Sequence, residues 1–111
     1  MFKVFEQVAI IKFLAVSGMN DRQISSTMGL TISDMRATLK LDHIPDELRF
    51  YYYKFKMERQ VLFVYLKLNM IHHREFLDTC KEGKIKTFAD FKNWYRGRFD
   101  KEYNPEEEKR V

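Results

Sequence analysis

Residues 21–40 read DRQISSTMGLTISDMRATLK, and the predicted fold rests mainly on the pattern of these residues. Asn20, directly before it, can cap a helix, and Gln23 three residues later completes a capping-box pattern. Gly29 suits the left-handed backbone of a tight turn, and Thr31 can cap a second helix. Apolar residues repeat four positions apart on each helix, at Ile24 and Met28 and at Met35 and Leu39. The sequence therefore predicts a helix, a tight turn and a second helix over residues 20–40.

This pattern fits the helix-turn-helix, in which the second helix projects its N-terminal turns into the ~12 Å wide major groove of DNA. Ile24 would lie in the core, Ser25 where the two helices touch, and Leu30, Met35 and Leu39 would complete the core. Arg36 is the strongest candidate for a bidentate contact with guanine, and Lys40 is a candidate for a phosphate contact. The predicted DNA-contacting residues of the motif are Thr31, Ile32, Ser33, Arg36 and Lys40.

A purely structural interpretation of the same stretch also stays open. Two short capped helices with a glycine between them occur in many helical proteins that do not bind DNA. The outward face here is only lightly basic, and Thr38 occupies a position that is often apolar in the motif.

The segment before the motif, residues 2–17, contains no helix breaker and ends at Gly18, which predicts a helix. Residues 8–16 are apolar everywhere except at Lys12, so the apolar surface extends almost all the way round the helix. We expect such a helix to be buried on two sides, by its own domain and by a partner. The predicted oligomer-interface residues on this helix are Phe5, Ile10 and Phe13.

Residues 49–69 admit two interpretations. Leu62, Val64, Leu66 and Leu68 alternate as in a strand, which would make this region the β-hairpin of a winged helix. No Gly, Asn or Asp lies at the MERQ turn, however, and apolar residues also recur at helical spacing, so helices with a break near 57–60 are favoured. The aromatic residues predict an oligomer interface that includes Tyr52, Phe55 and Phe63, whereas the hairpin interpretation would also allow a base-stacking platform.

Beyond residue 70 the pattern is helical to about Glu82 and is closed by Gly83, and Thr87 can cap a last helix. Residues 84–98 carry five bases and one acid, interleaved with aromatic residues. This composition is typical of a second nucleic-acid surface, for which the candidate residues are Lys92, Arg96 and Arg98. The alternative is a helix whose aromatic residues pack inward and whose bases are merely solvated.

The chain of 111 residues predicts an all-α protein with a single compact helical domain over residues 1–99. That domain has 17 bases and 11 acids, whereas residues 100–111 carry three bases and five acids without apolar periodicity, which predicts a disordered tail. The basic domain mildly favours a polyanionic partner.

The residue composition disfavours several classes of function. A single cysteine, Cys80, excludes an internal disulfide and a cysteine-based zinc site within one chain, and His72 and His73 are adjacent and cannot bind one metal together. No signal peptide and no membrane-spanning run is evident, so we expect a cytoplasmic protein. We expect no cofactor, no metal and no catalysis.

A family resemblance adds to these predictions. Residues 13–50 resemble FlhD, one subunit of the bacterial flagellar master transcriptional activator, at Gly18-Met19-Asn20, Leu30-Thr31-Ile32, Met35 and Arg49-Phe50. Residues 58–96 are similar in order and character to its partner FlhC, at Phe76-Leu77, Ala89 and Tyr95-Arg96. The resemblance implies a largely helical subunit of a hetero-oligomer that binds promoter DNA and activates transcription. The chain lacks the four zinc-binding cysteines of FlhC and has a far shorter N-terminal region than FlhD.

Together these features predict a bacterial, phage or mobile-element transcription regulator that grips double-stranded DNA through its helix-turn-helix and works as an oligomer. Its protein partner would be another copy, a different regulator subunit, or RNA polymerase. Two alternatives stay open. One is a protein-interaction module that does not itself read DNA, and the other is a single-stranded nucleic-acid binder that uses the aromatic hairpin.

Overall fold

A computed structural model of the chain describes residues 2–99. Within these residues every regular element is helical, which confirms the predicted all-α class. Two compact units are present, the first ending at Ile44 and the second beginning at Pro45. The single domain predicted over residues 1–99 stays a prediction, because compactness does not decide whether the two units unfold together. The predicted disordered tail, 100–111, lies outside the described residues.

Three helices form the first unit: α1, Val4–Val16; α2, Asp21–Met28; and α3, Ile32–Lys40. Each contacts the other two, and a single 3-10 turn, Leu41–His43, follows α3. One side chain from each helix, Ile11, Ile24 and Met35, is buried at the centre of the unit. Leu14, Met19, Met28, Leu30 and Leu39 pack around these three. The predicted core positions of residues 21–40 are therefore confirmed.

The ends of α2 and α3 have the predicted hydrogen bonds. Asn20 and Gln23 form a reciprocal capping box, in which the side chain of each accepts from the backbone N–H of the other at 2.9–3.0 Å. Gly29 has φ 71°, a left-handed conformation that other residues adopt only at a cost. The Thr31 hydroxyl oxygen accepts from the Asp34 N–H at 3.0 Å. A turn of three residues therefore joins the two helices.

In the described part of the second unit, residues 45–99, there are four α-helices: α4, Asp46–Lys54; α5, Arg59–Lys67; α6, His73–Lys81; and α7, Phe88–Phe99. A 3-10 turn, Met70–His72, precedes α6. α4 contacts α6, and α5 contacts α7. The core contains Leu48 of α4, Leu62 of α5, and Phe76 and Cys80 of α6.

The β-hairpin alternative for residues 49–69 is wrong, since this region holds the end of α4 and all of α5. Val61, Leu62 and Tyr65 are buried, which is the spacing of one helix face rather than of one strand face. The helices with a break near 57–60 are confirmed, and the break itself spans residues 55–58. The alternation of apolar residues at 62–68 therefore arises because most positions of α5 are apolar, and it does not indicate a strand.

The two connections of the second unit, residues 55–58 and 82–87, lie against each other. The Glu58 N–H donates to the Lys86 carbonyl, and the Glu58 carboxylate accepts from the Phe88 N–H, both at 2.7 Å. The Phe55 ring packs over Gly83, where an added Cβ would lie 3.1 Å from the nearest ring carbon. Buried Met57 and Ile85 anchor one connection each. This end of the unit is therefore built from residues distant in sequence.

Candidate nucleic-acid interface

The outward side of α3 carries the residues that the sequence predicts to contact DNA. Thr31, Ser33, Arg36 and Lys40 are exposed, whereas Ile32 is half-buried. Lys40 forms no ion pair with any residue that the structure describes. Hydroxyl groups thus lie at the start of this nine-residue helix, a guanidinium at its middle and an ammonium at its end.

Arg36 has an acidic partner that the sequence did not reveal. Its Nε donates to Asp21 Oδ2 at 2.9 Å, and its Nη2 lies 2.8 Å from the same oxygen. Asp21 is the first residue of α2, where a carboxylate also interacts favourably with the helix dipole. The pair is half-exposed, and such pairs stabilise a protein by only about 0–1 kcal/mol. Arg36 is therefore held in place by a partner that another anion can displace.

Thr38, the residue that departs from the usual apolar pattern, is completely buried. Its hydroxyl donates to the Asp34 carbonyl, one turn earlier in α3, at 2.8 Å. A threonine is tolerated here because its polar atom is satisfied within the helix. The departure from the pattern does not disturb the packing of α3.

The predicted second surface lies on α7 of the second unit, and its three cations differ in their surroundings. Lys92 Nζ lies 5.1 Å from the centroid of the Phe88 ring, a cation–π distance. Arg98 Nε donates to the Glu75 carboxylate at 2.8 Å, which lowers the pKa of Glu75. Arg96 is exposed. Arg98 thus ties α7 to α6, and Lys92 and Arg96 are the two that present their charge outward.

The aromatic residues of α7 pack largely inward. Phe91 and Trp94 are half-buried, with ring centroids 6.0 and 5.7 Å from that of the buried Phe76. Tyr95 is exposed beside a groove of about 520 Å³ that Val64, Leu68 and Phe91 also line. Most of the aromatic surface of α7 therefore stabilises the second unit and is not available for stacking on bases.

The six residues predicted to form an oligomer interface are placed very differently. Phe5 is buried within the first unit, and Ile10, Tyr52, Phe55 and Phe63 are half-buried. Phe13 is 69% exposed. It lies on an exposed stripe of α1 formed by Glu6, Ala9, Phe13 and Val16, at spacings of three, four and three residues. The exposed Phe2 precedes the helix, before the extended N-cap residue Lys3. Val16 was not among the predicted residues, although the helical spacing alone places it on the same face as Phe13.

The positive charge of the chain is concentrated away from α3. Residues 1–44 have five bases and four acids, whereas residues 45–99 have twelve bases and seven acids. The predicted basic character of the whole helical domain therefore belongs mainly to the second unit. Counting charge for each unit would have revealed the difference, but only the structure supplies the boundary at Ile44.

Cys80 and His73, whose side chains could act as a nucleophile or a metal ligand, are engaged in packing and hydrogen bonding within the second unit. Burial raises the pKa of the Cys80 thiol to about 12, so this thiol stays protonated. His73 Nε2 lies 3.0 and 2.9 Å from the carbonyl oxygens of Tyr65 and Leu68, and the imidazole stacks on the Tyr65 ring.

Among residues 2–99 no group of three acidic, histidine or cysteine side chains is arranged to hold a metal ion. None of the helices in that range has the length and apolar character needed to span a membrane.

Comparison of the chain with protein-family models, with curated proteins and with solved structures finds no match.

Proposed function

We propose that this chain is a DNA-binding transcription regulator in which α2, the turn at Gly29 and α3 act as a helix-turn-helix. The observation that carries the proposal is the first unit itself. Two short helices joined by three residues pack on a third helix, and the outer side of the second one exposes Arg36 and Lys40. Recognition helices of this kind use such side chains on bases and phosphates.

Each exposed residue of α3 has a distinct role in this proposal. Arg36 exchanges Asp21 for the O6 and N7 acceptors of a guanine, since its planar guanidinium can make two parallel hydrogen bonds. Thr31 and Ser33, at the helix start, contact phosphate or base edges, and Lys40 contacts phosphate. Ile32, which is half-buried, offers an apolar contact such as one with a thymine methyl group.

The regulator acts as an oligomer in the cytoplasm, with α1 as the interface helix. The exposed apolar residues Ala9, Phe13 and Val16 of α1 leave apolar surface in water, which a partner helix would remove. Helix-turn-helix proteins that pair in this way contact two half-sites about one turn of DNA apart. A role as an activator subunit, alone or with a second subunit, follows the resemblance to FlhD and FlhC.

A mobility-shift titration at two salt concentrations tests the proposal, after a bound sequence has been selected from a random duplex pool. We expect Arg36→Ala to lower affinity for the selected site by about 1–3 kcal/mol and to relax its specificity. Lys40→Ala should weaken binding to all sequences alike. The proposal would be contradicted if no sequence could be selected from the pool and the chain shifted no duplex at either salt concentration.

A protein-interaction module is the second candidate function, and the stripe on α1 together with the weak positive charge of the first unit favours it. Such a module would bind another copy or a transcription component without reading DNA. It predicts that substitutions at Phe13 abolish partner binding while Arg36→Ala has no effect on any measured association.

A further inference from the structure

The end of the second unit where α4 and α6 finish and α5 and α7 begin is strongly basic. Residues 54–59 and 81–86 meet there through the Glu58 to Lys86 hydrogen bond and the packing of Phe55 on Gly83. These twelve residues contain six bases and two acids, a net charge of +4. All six bases are exposed: Lys54, Lys56, Arg59, Lys81, Lys84 and Lys86. We call this surface the basic end.

The two acids of the basic end are engaged within the unit. The Glu58 carboxylate accepts from the Phe88 N–H at the start of α7. Glu82 forms an ion pair with Lys84 at 2.8 Å, which lowers the pKa of Glu82. Lys54 and Lys56 form no ion pair with any acid among residues 2–99. Just outside this surface, the Asp90 carboxylate accepts from the Lys86 and Thr87 N–H groups at 3.0 Å, and these hydrogen bonds, together with the Lys86 charge, lower the pKa of Asp90. The positive potential of this end is therefore only partly compensated by its own carboxylates.

Several of these cations are positioned rather than loosely solvated. Lys54 Nζ lies 5.6 and 5.2 Å from the ring centroids of Phe50 and Phe55, and the Arg59 guanidinium lies 5.7 Å from that of Phe63. Lys84 and Lys86 flank Ile85, whose complete burial fixes the connection between them. The Lys54 ammonium is steadied by the Phe50 and Phe55 rings without using its N–H donors, so those donors stay available for an anion.

We infer that the basic end is a second DNA site, which binds the phosphate backbone of a duplex without reading its sequence. The inference rests on the proposed function for the identity of the polyanion. The rings of Phe50, Phe55 and Phe63 are already covered by cations, so they are poorly placed to stack on bases. The cations themselves suit contacts with backbone phosphates, and this favours duplex over single-stranded DNA.

The test uses the full chain and a duplex of about 30 base pairs of arbitrary sequence, with binding measured by fluorescence anisotropy at several KCl concentrations. Each phosphate contact contributes about 0.9 to the slope of log K against log salt concentration. We expect Lys86→Gln to reduce the slope by about 1, and Lys54→Gln with Lys86→Gln to reduce it by about 2, with roughly tenfold weaker binding at low salt. Lys67→Gln, which removes one exposed charge at the other end of α5, is the control and should leave the slope unchanged.

Three outcomes would overturn the inference. One is an equal loss for Lys67→Gln and Lys86→Gln, which would show a general charge effect. Another is an unchanged slope for the double variant with circular dichroism like that of the wild type. The third is tighter binding of a single strand of equal length than of the duplex. If Arg36→Ala leaves site specificity intact while Lys86→Gln reduces the salt slope, the proposed function is contradicted and the inference about the basic end is supported. If Arg36→Ala relaxes specificity while Lys86→Gln leaves the salt slope unchanged, only the inference about the basic end is contradicted.

Discussion

The Arg36 guanidinium directs both its Nε and its Nη2 at a single carboxylate oxygen of Asp21, at 2.9 and 2.8 Å. Asp21 begins α2 and Arg36 lies in the middle of α3, so the pair links the two helices of the proposed motif. The same contact places a negative charge beside the arginine proposed to read a base. Asp21 therefore orders the Arg36 side chain and, if the proposed function holds, competes with DNA for it.

Replacing Asp21 with asparagine should strengthen DNA binding. The substitution would release Arg36 from the carboxylate and would remove one negative charge near the phosphates. We expect the affinity for DNA to rise by up to about fivefold, because a surface ion pair contributes at most ~1 kcal/mol. The free energy of unfolding should fall by less than about 1 kcal/mol, because the charge at the helix N-terminus is lost. Anisotropy and urea unfolding measure the two effects.

Asp42→Asn is the matched control for this change, since it removes the same charge from an ion pair with Lys12 in the same unit. It should leave DNA affinity close to that of the wild type. Weaker binding of Asp21→Asn than of Asp42→Asn would mean that Asp21 orients Arg36 for binding rather than competing for it.

Phe13→Glu should shift the chain toward the monomer. The ring is exposed in the first unit, so its loss should change the free energy of unfolding by no more than about 0.5 kcal/mol, while a charge in the middle of the α1 stripe opposes helix pairing. Sedimentation velocity over a range of concentrations measures the change. Phe50→Glu is a control at a similarly exposed phenylalanine of the second unit. If both variants and the wild type sediment alike, α1 is not the interface.

The features that the sequence predicted correctly are those set by neighbours within about four residues. The capping box of Asn20 and Gln23, the Thr31 cap and the left-handed turn at Gly29 depend on local geometry alone. The core positions Ile24 and Met35 follow from helical periodicity, which is also local. The helical class and the core positions of residues 20–40 therefore follow from the amino-acid sequence alone.

The features that the sequence did not predict depend on contacts between distant residues. Asp21 and Arg36 are fifteen positions apart, and the basic end joins two segments more than twenty positions apart. Helix α1 is apolar nearly all round, so its own sequence could not decide that Phe5 would be buried and Phe13 exposed. That choice is made when α2, α3 and the 3-10 turn Leu41–His43 pack against α1.

Lys56→Gly should stabilise the second unit while weakening DNA binding. Lys56 has φ 53°, and the Met57 N–H donates to the Tyr52 carbonyl at 3.0 Å, the arrangement in which helices commonly end on glycine. A lysine in this conformation costs about 1 kcal/mol relative to glycine, so the free energy of unfolding should rise by up to about that amount. Urea unfolding followed by Trp94 fluorescence measures it, since Trp94 is the single tryptophan and packs in this unit.

Lys56→Ala separates the two effects, because it removes the charge while keeping a side chain in the left-handed conformation. We expect its DNA affinity to match that of Lys56→Gly and its stability to stay near that of the wild type. A glycine variant less stable than the alanine variant would contradict the assignment of strain to Lys56.

Glu47 should make the second unit sensitive to acid. Its carboxylate accepts from the Arg74 guanidinium and, at 3.1 Å, from the Tyr51 hydroxyl, and the hydrogen bond from Arg74 is the largest cause of its lowered pKa. Because the pKa is lower in the folded state than the ordinary value of 4.5, this contribution is present above pH 4.5 and is lost as the pH falls through the folded-state pKa.

Glu47→Gln should therefore lower the thermal midpoint at pH 7, and the difference from the wild type should shrink as the pH falls below about 4.5. Arg74→Gln should show the same trend with pH, although it also removes the ion pair of Arg74 with Asp78 at 3.0 Å. The double variant should lose less than the sum of the two single losses, since both single variants remove the Glu47–Arg74 interaction. Midpoints of the wild type and the three variants, followed by Trp94 fluorescence between about pH 3 and 7, provide the measurement. Wild-type and Glu47→Gln curves that stay parallel throughout this range would show that the pair does not control the acid sensitivity of the unit.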